Sequence, residues 1–273
     1  MHCARRVDEL FVVDAFTDHT FGGNQAGVAP MSGPGDAALM QKIAAEMKYS
    51  ETAFLWPEGD AWGLRWFTPA KEVPLCGHAT LASAHILWET KRLPAGKPAL
   101  FDTLSGRLTC TQTPQGIQMD FPADPATPEK APAGLFEALG ARGPAHHAPR
   151  YSNLLIELPD ERAVRAVTPD FGALRKVSDS LAYIVAAPAS TKGFDVVCRY
   201  FAPAWGIDED PATGSIQCTI GPHFSRSLGK NPVRVLQASQ RGAQMIVETS
   251  GQRVKVTGNA VTVVAGRLKV RSA

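Results

Sequence analysis

The chain has 273 residues, of which 44% are hydrophobic and 20% charged, a composition that supplies a packed core and argues against disorder. At about 150 residues per domain this length suggests two modest domains. A net charge of only +2 is too small to suggest a nucleic-acid surface. Asp8 and Glu9 interrupt the N-terminal apolar stretch where a signal peptide needs continuity, and no run approaches the roughly 18 apolar residues of a membrane span. The expected protein is cytoplasmic, with neither nucleic acid nor membrane as a partner.

Taken in chain order, the first element is a strand over 10–13. A helix follows over 36–47, where Leu39, Met40, Ile43, Ala44 and Met47 recur at helical spacing behind Asp36 as a cap. A strand over 63–67 leads to a helix over 78–88 that is apolar almost all round and therefore calls for burial on every side. Two further strands are expected over 106–110 and 117–121. The Pro/Ala-rich stretch 122–132 loses all apolar period and marks a boundary near Ala126, giving domains 1–126 and 127–273. Beyond it come strands over 154–158, 182–186 and 195–201, then a helix starting at Thr213 that Gly221-Pro222 must bend or end. Strands over 244–249, 254–257 and 260–265, punctuated by Gly251 and Gly258, read as a meander of hairpins.

The two halves echo one another. Arg65-Trp66-Phe67-Thr68-Pro69 returns as Arg199-Tyr200-Phe201-Ala202-Pro203, 134 residues later (65 to 199). Ala79-Thr80 returns as Ala212-Thr213, and the turn at Gln115-Gly116 returns as Ser250-Gly251. Three echoes in one order at a nearly constant offset point to a duplicated structure. The expected fold is α+β: two similar domains, each an antiparallel curled sheet around a central helix.

Helix N-termini carry unpaired N–H groups and a partial positive charge. Two such termini at matching places, directed between the domains, form a receptor for a carboxylate. The small residues there, Gly77, Ala79 and Thr80 in one half and Ala212, Thr213, Gly214 and Ser215 in the other, allow close backbone approach. The competing reading is ordinary helix capping. Glu51 stands before the apolar Ala53-Phe54-Leu55, a setting that raises carboxylate basicity toward that of a general base, although Ser50-Glu51 is also common turn chemistry. His78 and Asp210 sit at the two helix starts, where they either orient a base or serve as caps. Five cysteines with no C-x-x-C pair suggest buried thiols rather than disulfides or a zinc ribbon, and with no H-E-x-x-H motif no metal site is expected. Cys76, immediately before a helix, is placed as helix-terminal thiol bases and nucleophiles are, but Asp210-Pro211 stand at the matching place and offer no second thiol.

The segments DAFTDHTFGGNQAGV (14–28), SETAFL (50–55), RWFTPAKEVPLCGHATLA (65–82) and RYFAPAWGIDEDPATGS (199–215) resemble the phenazine-biosynthesis isomerase-like family, known as PhzF-like, within the diaminopimelate-epimerase-like fold. The resemblance implies a homodimer with an active site between two similar domains. It also implies a glutamate that moves a proton between carbons of a cyclohexadiene carboxylate without metal or organic cofactor. Carried over motif by motif, the catalytic set falls on Glu51, His78, Asp210 and Ser215, and substrate binding on Asn24, Gly77, Ala79, Thr80, Thr213 and Gly214. The expected function is thus a cofactor-independent isomerase acting on a small carboxylated substrate. The alternatives are an epimerase or racemase using Cys76, and a non-catalytic protein that binds a ligand in the cleft.

Overall fold

The computed structural model describes residues 8–269 and divides into two compact units, Met1–Asp120 with Thr257–Ala273, and Phe121–Val256. Cys3 lies outside the described residues. The first unit contains β1 (Glu9–Ala15), β2 (Asn24–Pro30), α1 (Ala37–Met47), β3 (Glu51–Glu58), β4 (Ala61–Phe67), β5 (Glu72–Val73), α2 (Gly77–Glu89), β6 (Ala99–Thr103) and β7 (Gly106–Thr113). The chain passes into the second unit within β8 (Gly116–Pro122). There follow β9 (Thr127–Pro128), α3 (Leu135–Leu139), β10 (Ala145–Ala148), β11 (Asn153–Glu157), α4 (Glu161–Ala166), α5 (Phe171–Val177), β12 (Ala182–Pro188), β13 (Val196–Phe201), α6 (Gln217–Leu228), β14 (Val233–Gln237) and β15 (Ala243–Ser250). The chain returns within β16 (Arg253–Gly258) and ends on β17 (Ala260–Arg267).

The α+β class stands, and the strand pairings repeat between the units. In the first, β1–β2 is antiparallel, β2–β3 parallel across α1, β3–β4 antiparallel, β4–β6 parallel across α2, and β6–β7 antiparallel. In the second, β10–β11 is antiparallel, β11–β12 parallel across α4 and α5, β12–β13 antiparallel, β13–β14 parallel across α6, and β14–β15 antiparallel. The sheets are therefore mixed rather than antiparallel throughout, because α1, α2, α4 with α5, and α6 are crossovers that return the chain in the same direction.

The division also differs from the cut expected near Ala126 with everything beyond it in one domain. β17 pairs antiparallel with β1 along its length, from Glu9↔Arg267 to Ala15↔Ala260, so the C-terminal strand packs with the first unit. The same pairing takes β17 out of the expected closing meander.

The Arg-x-Phe echo is one device built twice. Arg65 stands over the Phe67 ring at 5.1 Å and forks onto Glu72 at 2.7 and 2.6 Å. Arg199 stands over Phe201 at 5.0 Å and forks onto Glu209 at 2.7 and 2.9 Å. Each fork ties the loop that approaches the next helix to the preceding strand, with planar two-point geometry that a lysine would not supply.

In the first unit α2 is buried nearly all round and packs on β1, β2, β3 and β17. Met40, Ile43 and Ala44 of α1 pack with Phe54, Trp56 and Phe67 in a separate core cluster. In the second unit α6 packs on β14 and β15, while α3, α4 and α5 cover a core that includes Leu139, Leu174, Tyr183 and Phe201. α6 begins at Gln217 rather than Thr213, because i→i+3 turns (Gln217 N–H to Gly214 O, Cys218 N–H to Ser215 O) precede the first full helical bond. Pro222 does not end it. The carbonyl that loses its helical donor at Pro222, that of Cys218, accepts from the Asp124 N–H at 2.9 Å instead. Gly221 is required here, since a Cβ would meet Val247 Cγ1 at 2.7 Å.

Candidate functional site

The first unit gathers a polar set at the start of β3. Register pairs Glu51 with Ala26 in the parallel β2–β3 ladder, and Asn24 lies two residues before Ala26 on the same face. α2, packed on β2, brings His78 to them from its first turn. His78 Nε2 is 3.3 Å from Glu51 Oε2, with the two side chains 7% and 12% exposed. Asn24 Nδ2 is 3.4 Å from His78 Nδ1, and the Ser50 hydroxyl is 3.2 Å from Asn24 Oδ1 and 3.3 Å from His78 Nε2. Cys76 Sγ lies 3.5 Å from His78 Nδ1.

Where the His78 ring is neutral and accepts at Nδ1 from the Asn24 amide, its proton is on Nε2, the nitrogen 3.3 Å from the Glu51 carboxylate. Burial pushes the Glu51 carboxyl above its ordinary value, and hydrogen bonds from Ser50 and Cys76 only partly oppose that rise. A carboxyl adjusted in this way takes and returns protons closer to neutrality than a solvated one does.

α2 has no side-chain cap, since its N-cap residue Cys76 makes no such bond. Gly77 and buried Ala79 form its first turn. Thr80 is engaged within the helix, its hydroxyl donating to the Cys76 carbonyl at 2.6 Å.

The second unit gathers a different set. Asp210, Thr213 and Gln237 are all buried. The Thr213 hydroxyl donates to Asp210 Oδ2, Gln237 Nε2 donates to the Asp210 carbonyl at 2.8 Å, and the Thr213 N–H donates to Gln237 Oε1 at 2.9 Å. The Thr213 N–H is thus bonded to the Gln237 side chain. Gly214 is buried and Ser215 half-buried in the turn before α6. Sequence reasoning did not single out Gln237, which carries no motif of its own. It also read Ser50 only as turn chemistry, although its adjacency to Glu51 was the available signal.

Among the described residues, two groups have donor atoms close enough for a metal ion: Glu51, Cys76 and His78, and separately His146, Glu157 and His223. Cys76, Cys110, Cys198 and Cys218 are buried thiols. Burial pushes the Cys218 thiol up to about 12, as suits a packing residue. No helix among the described residues is long and apolar enough to cross a membrane.

A family model described as phenazine biosynthesis-like protein matches residues 13–266. The chain belongs to the phenazine biosynthesis-like family. A relative from Halalkalibacterium halodurans named as an uncharacterized isomerase is 41% identical, with 95% of this chain and 97% of that protein covered. The crystal structure of a PhzF-family phenazine biosynthesis protein from Enterococcus faecalis matches at a TM-score of 0.91 and 34% identity over 96% of this chain and 99% of that one. A predicted epimerase from Pseudomonas aeruginosa, 20% identical at a TM-score of 0.71 over 97% of this chain and 100% of that one, shares the fold. Isomerase is the class that the relatives' names carry, and this family member is assigned to it.

Proposed function

We propose that this phenazine biosynthesis-like protein moves a proton between carbons of a small carboxylated substrate, with Glu51 as the single acid/base. The observation that supports this most is the buried Glu51 carboxyl, raised above its ordinary value and 3.3 Å from His78, whose other ring nitrogen meets Asn24. In the deprotonated state Glu51 abstracts a proton from the substrate carbon. His78 Nε2–H stabilises the carboxylate before abstraction, and the resulting carboxylic acid returns the proton to a second carbon on the same face. One carboxyl group reaches two neighbouring carbons but not opposite faces of one, so a single base suits a shift rather than an inversion.

The substrate carboxylate is assigned to the uncapped N-terminus of α2, through the backbone at Gly77 and Ala79. The motif resemblance gives Asp210 a catalytic role, and in its own unit this buried carboxylate is braced by Thr213 and Gln237. Ser215 keeps the catalytic role, and Gly214 the substrate-binding role, that the motif resemblance implies. No cofactor is required by this scheme, and the protein acts as a homodimer.

A second reading is favoured by one observation: Cys76 Sγ, Glu51 and His78 offer donor atoms within 4.8 Å of one another. In that reading Cys76 serves as a base, and the reaction is an epimerisation. A screen of small cyclic and acyclic carboxylates in deuterated solvent, followed by proton NMR, separates the two. On any substrate that turns over, Glu51→Gln lowers kcat by about 10²–10⁴-fold. Full turnover by that variant refutes the proposal, and inversion at one carbon that vanishes in Cys76→Ala favours the second reading.

A further inference from the structure

The second unit holds another set of potential ligands that the isomerase scheme does not use. His146 pairs with Leu155 across the antiparallel β10–β11 ladder, and Glu157 lies two residues beyond Leu155 on the same face. His223 comes to them from the middle of α6, its ring 4.9 Å from that of His146. His223 Nε2 is 3.0 Å from Glu157 Oε2, and donor atoms of all three side chains fall within 4.8 Å of one another. His146 Nε2 is shielded from water yet has no hydrogen-bond partner, a state that ordinarily costs stability. The three side chains line a cavity of about 270 Å³, shared with Pro125, Pro222 and Arg226.

We propose that His146, Glu157 and His223 form a binding site for a divalent transition-metal ion of the zinc class. Two imidazoles and one carboxylate are a donor set that zinc accepts, with a fourth position left for water or a small anion. In a tetrahedral site with bonds of about 2.0–2.1 Å, ligand atoms stand about 3.3 Å apart, so the His223–Glu157 pair at 3.0 Å is nearly in place, and the His146 donor lies within 4.8 Å of both. Arg226 also lines the cavity. The ion would join β10 and β11 to α6, so its binding stabilises the folded chain.

The test is titration of metal-free full-length protein with Zn²⁺ by calorimetry, together with the visible and near-ultraviolet spectrum of the Co²⁺ adduct. The wild-type chain binds one equivalent at this site, and His146→Ala or Glu157→Gln weakens binding by about 100-fold or more. Cys76→Ala retains that equivalent, and the Co²⁺ adduct shows no sulfur-to-metal charge-transfer band. Absence of saturable binding to the wild-type chain overturns the proposal. So does binding unchanged in both His146→Ala and Glu157→Gln, or binding lost in Cys76→Ala with a sulfur band in the wild-type spectrum, which would place the ion at Glu51, Cys76 and His78. Because the wild-type titration and spectrum stand alone, a variant that fails to fold does not protect the proposal.

Discussion

Replacing Arg65 or Arg199 with methionine separates the two copies of the duplicated fork. Methionine keeps an apolar stem over the phenylalanine and removes the guanidinium. Arg65 and Glu72 are 27% and 26% exposed, so water partly replaces the fork that is lost. Arg199 is 13% exposed and also donates to the Val167 carbonyl at 2.6 Å, so its removal leaves a carboxylate and a carbonyl short of partners. Breaking a buried pair by removing one member costs about 3–5 kcal/mol, whereas an exposed pair is worth about 0–1. Arg199→Met is accordingly expected to cost about 3 kcal/mol and Arg65→Met about 1–2 kcal/mol. Urea unfolding followed by circular dichroism reads both, provided the m-value is unchanged. Equal losses, or a larger loss at Arg65, refute the assignment of the extra stability to burial and the Val167 bond.

Three further perturbations follow from the same structure. Glu51 binds its proton more tightly in the folded than in the unfolded chain, so it withdraws stability as pH rises from about 4.3 through its raised value. Glu51→Gln is therefore expected to gain on the wild type in urea melts above about pH 4.3, by up to about 1.4 kcal/mol per pH step of one until the folded carboxyl also ionises, and a difference independent of pH contradicts this. Glu161 behaves oppositely. Burial works to raise its carboxyl, but hydrogen bonds from Thr191, Arg165 and Ser190 outweigh it and hold the group well below the usual carboxylate range. Its contribution is present above about pH 4.3 and lost on acidification, so Glu161→Gln should flatten the acid limb of the stability profile. Asn24→Ala, by freeing His78 Nδ1, is expected to lower kcat about 10-fold or more and displace its pH profile, with Asn24→Gln no substitute. An unchanged profile would reduce Asn24 to a packing role.

The sequence carried the duplication because its echo falls where both units repeat the same covalent logic: an arginine two residues before a phenylalanine, at the end of a strand that feeds a helix. It carried α1 and α2 because apolar spacing and all-round burial are strong periodic signals. β2 and β3 were hidden for a local reason. NQAGVAP is glycine- and proline-bearing, and ETAFLWPE is buried over five successive positions, so it lacks alternation. The partners of β17 were illegible because strand pairing between the two ends of the chain leaves no local mark. Within the candidate site, Glu51 and His78 stood out by chemical type and motif. Ser50 and Gln237 are ordinary side chains until register and packing bring them against Asn24 and Asp210.

Whether one carboxyl group both removes and returns the proton is tested most directly by following the isomerisation of an identified substrate in deuterated water by mass spectrometry and NMR, at early conversion. A single shuttling Glu51 predicts that a measurable share of product keeps the original hydrogen at its new carbon, with any deuterium on the same face. Complete deuterium incorporation from the first turnover, on the opposite face or at the original carbon with inversion, would contradict it.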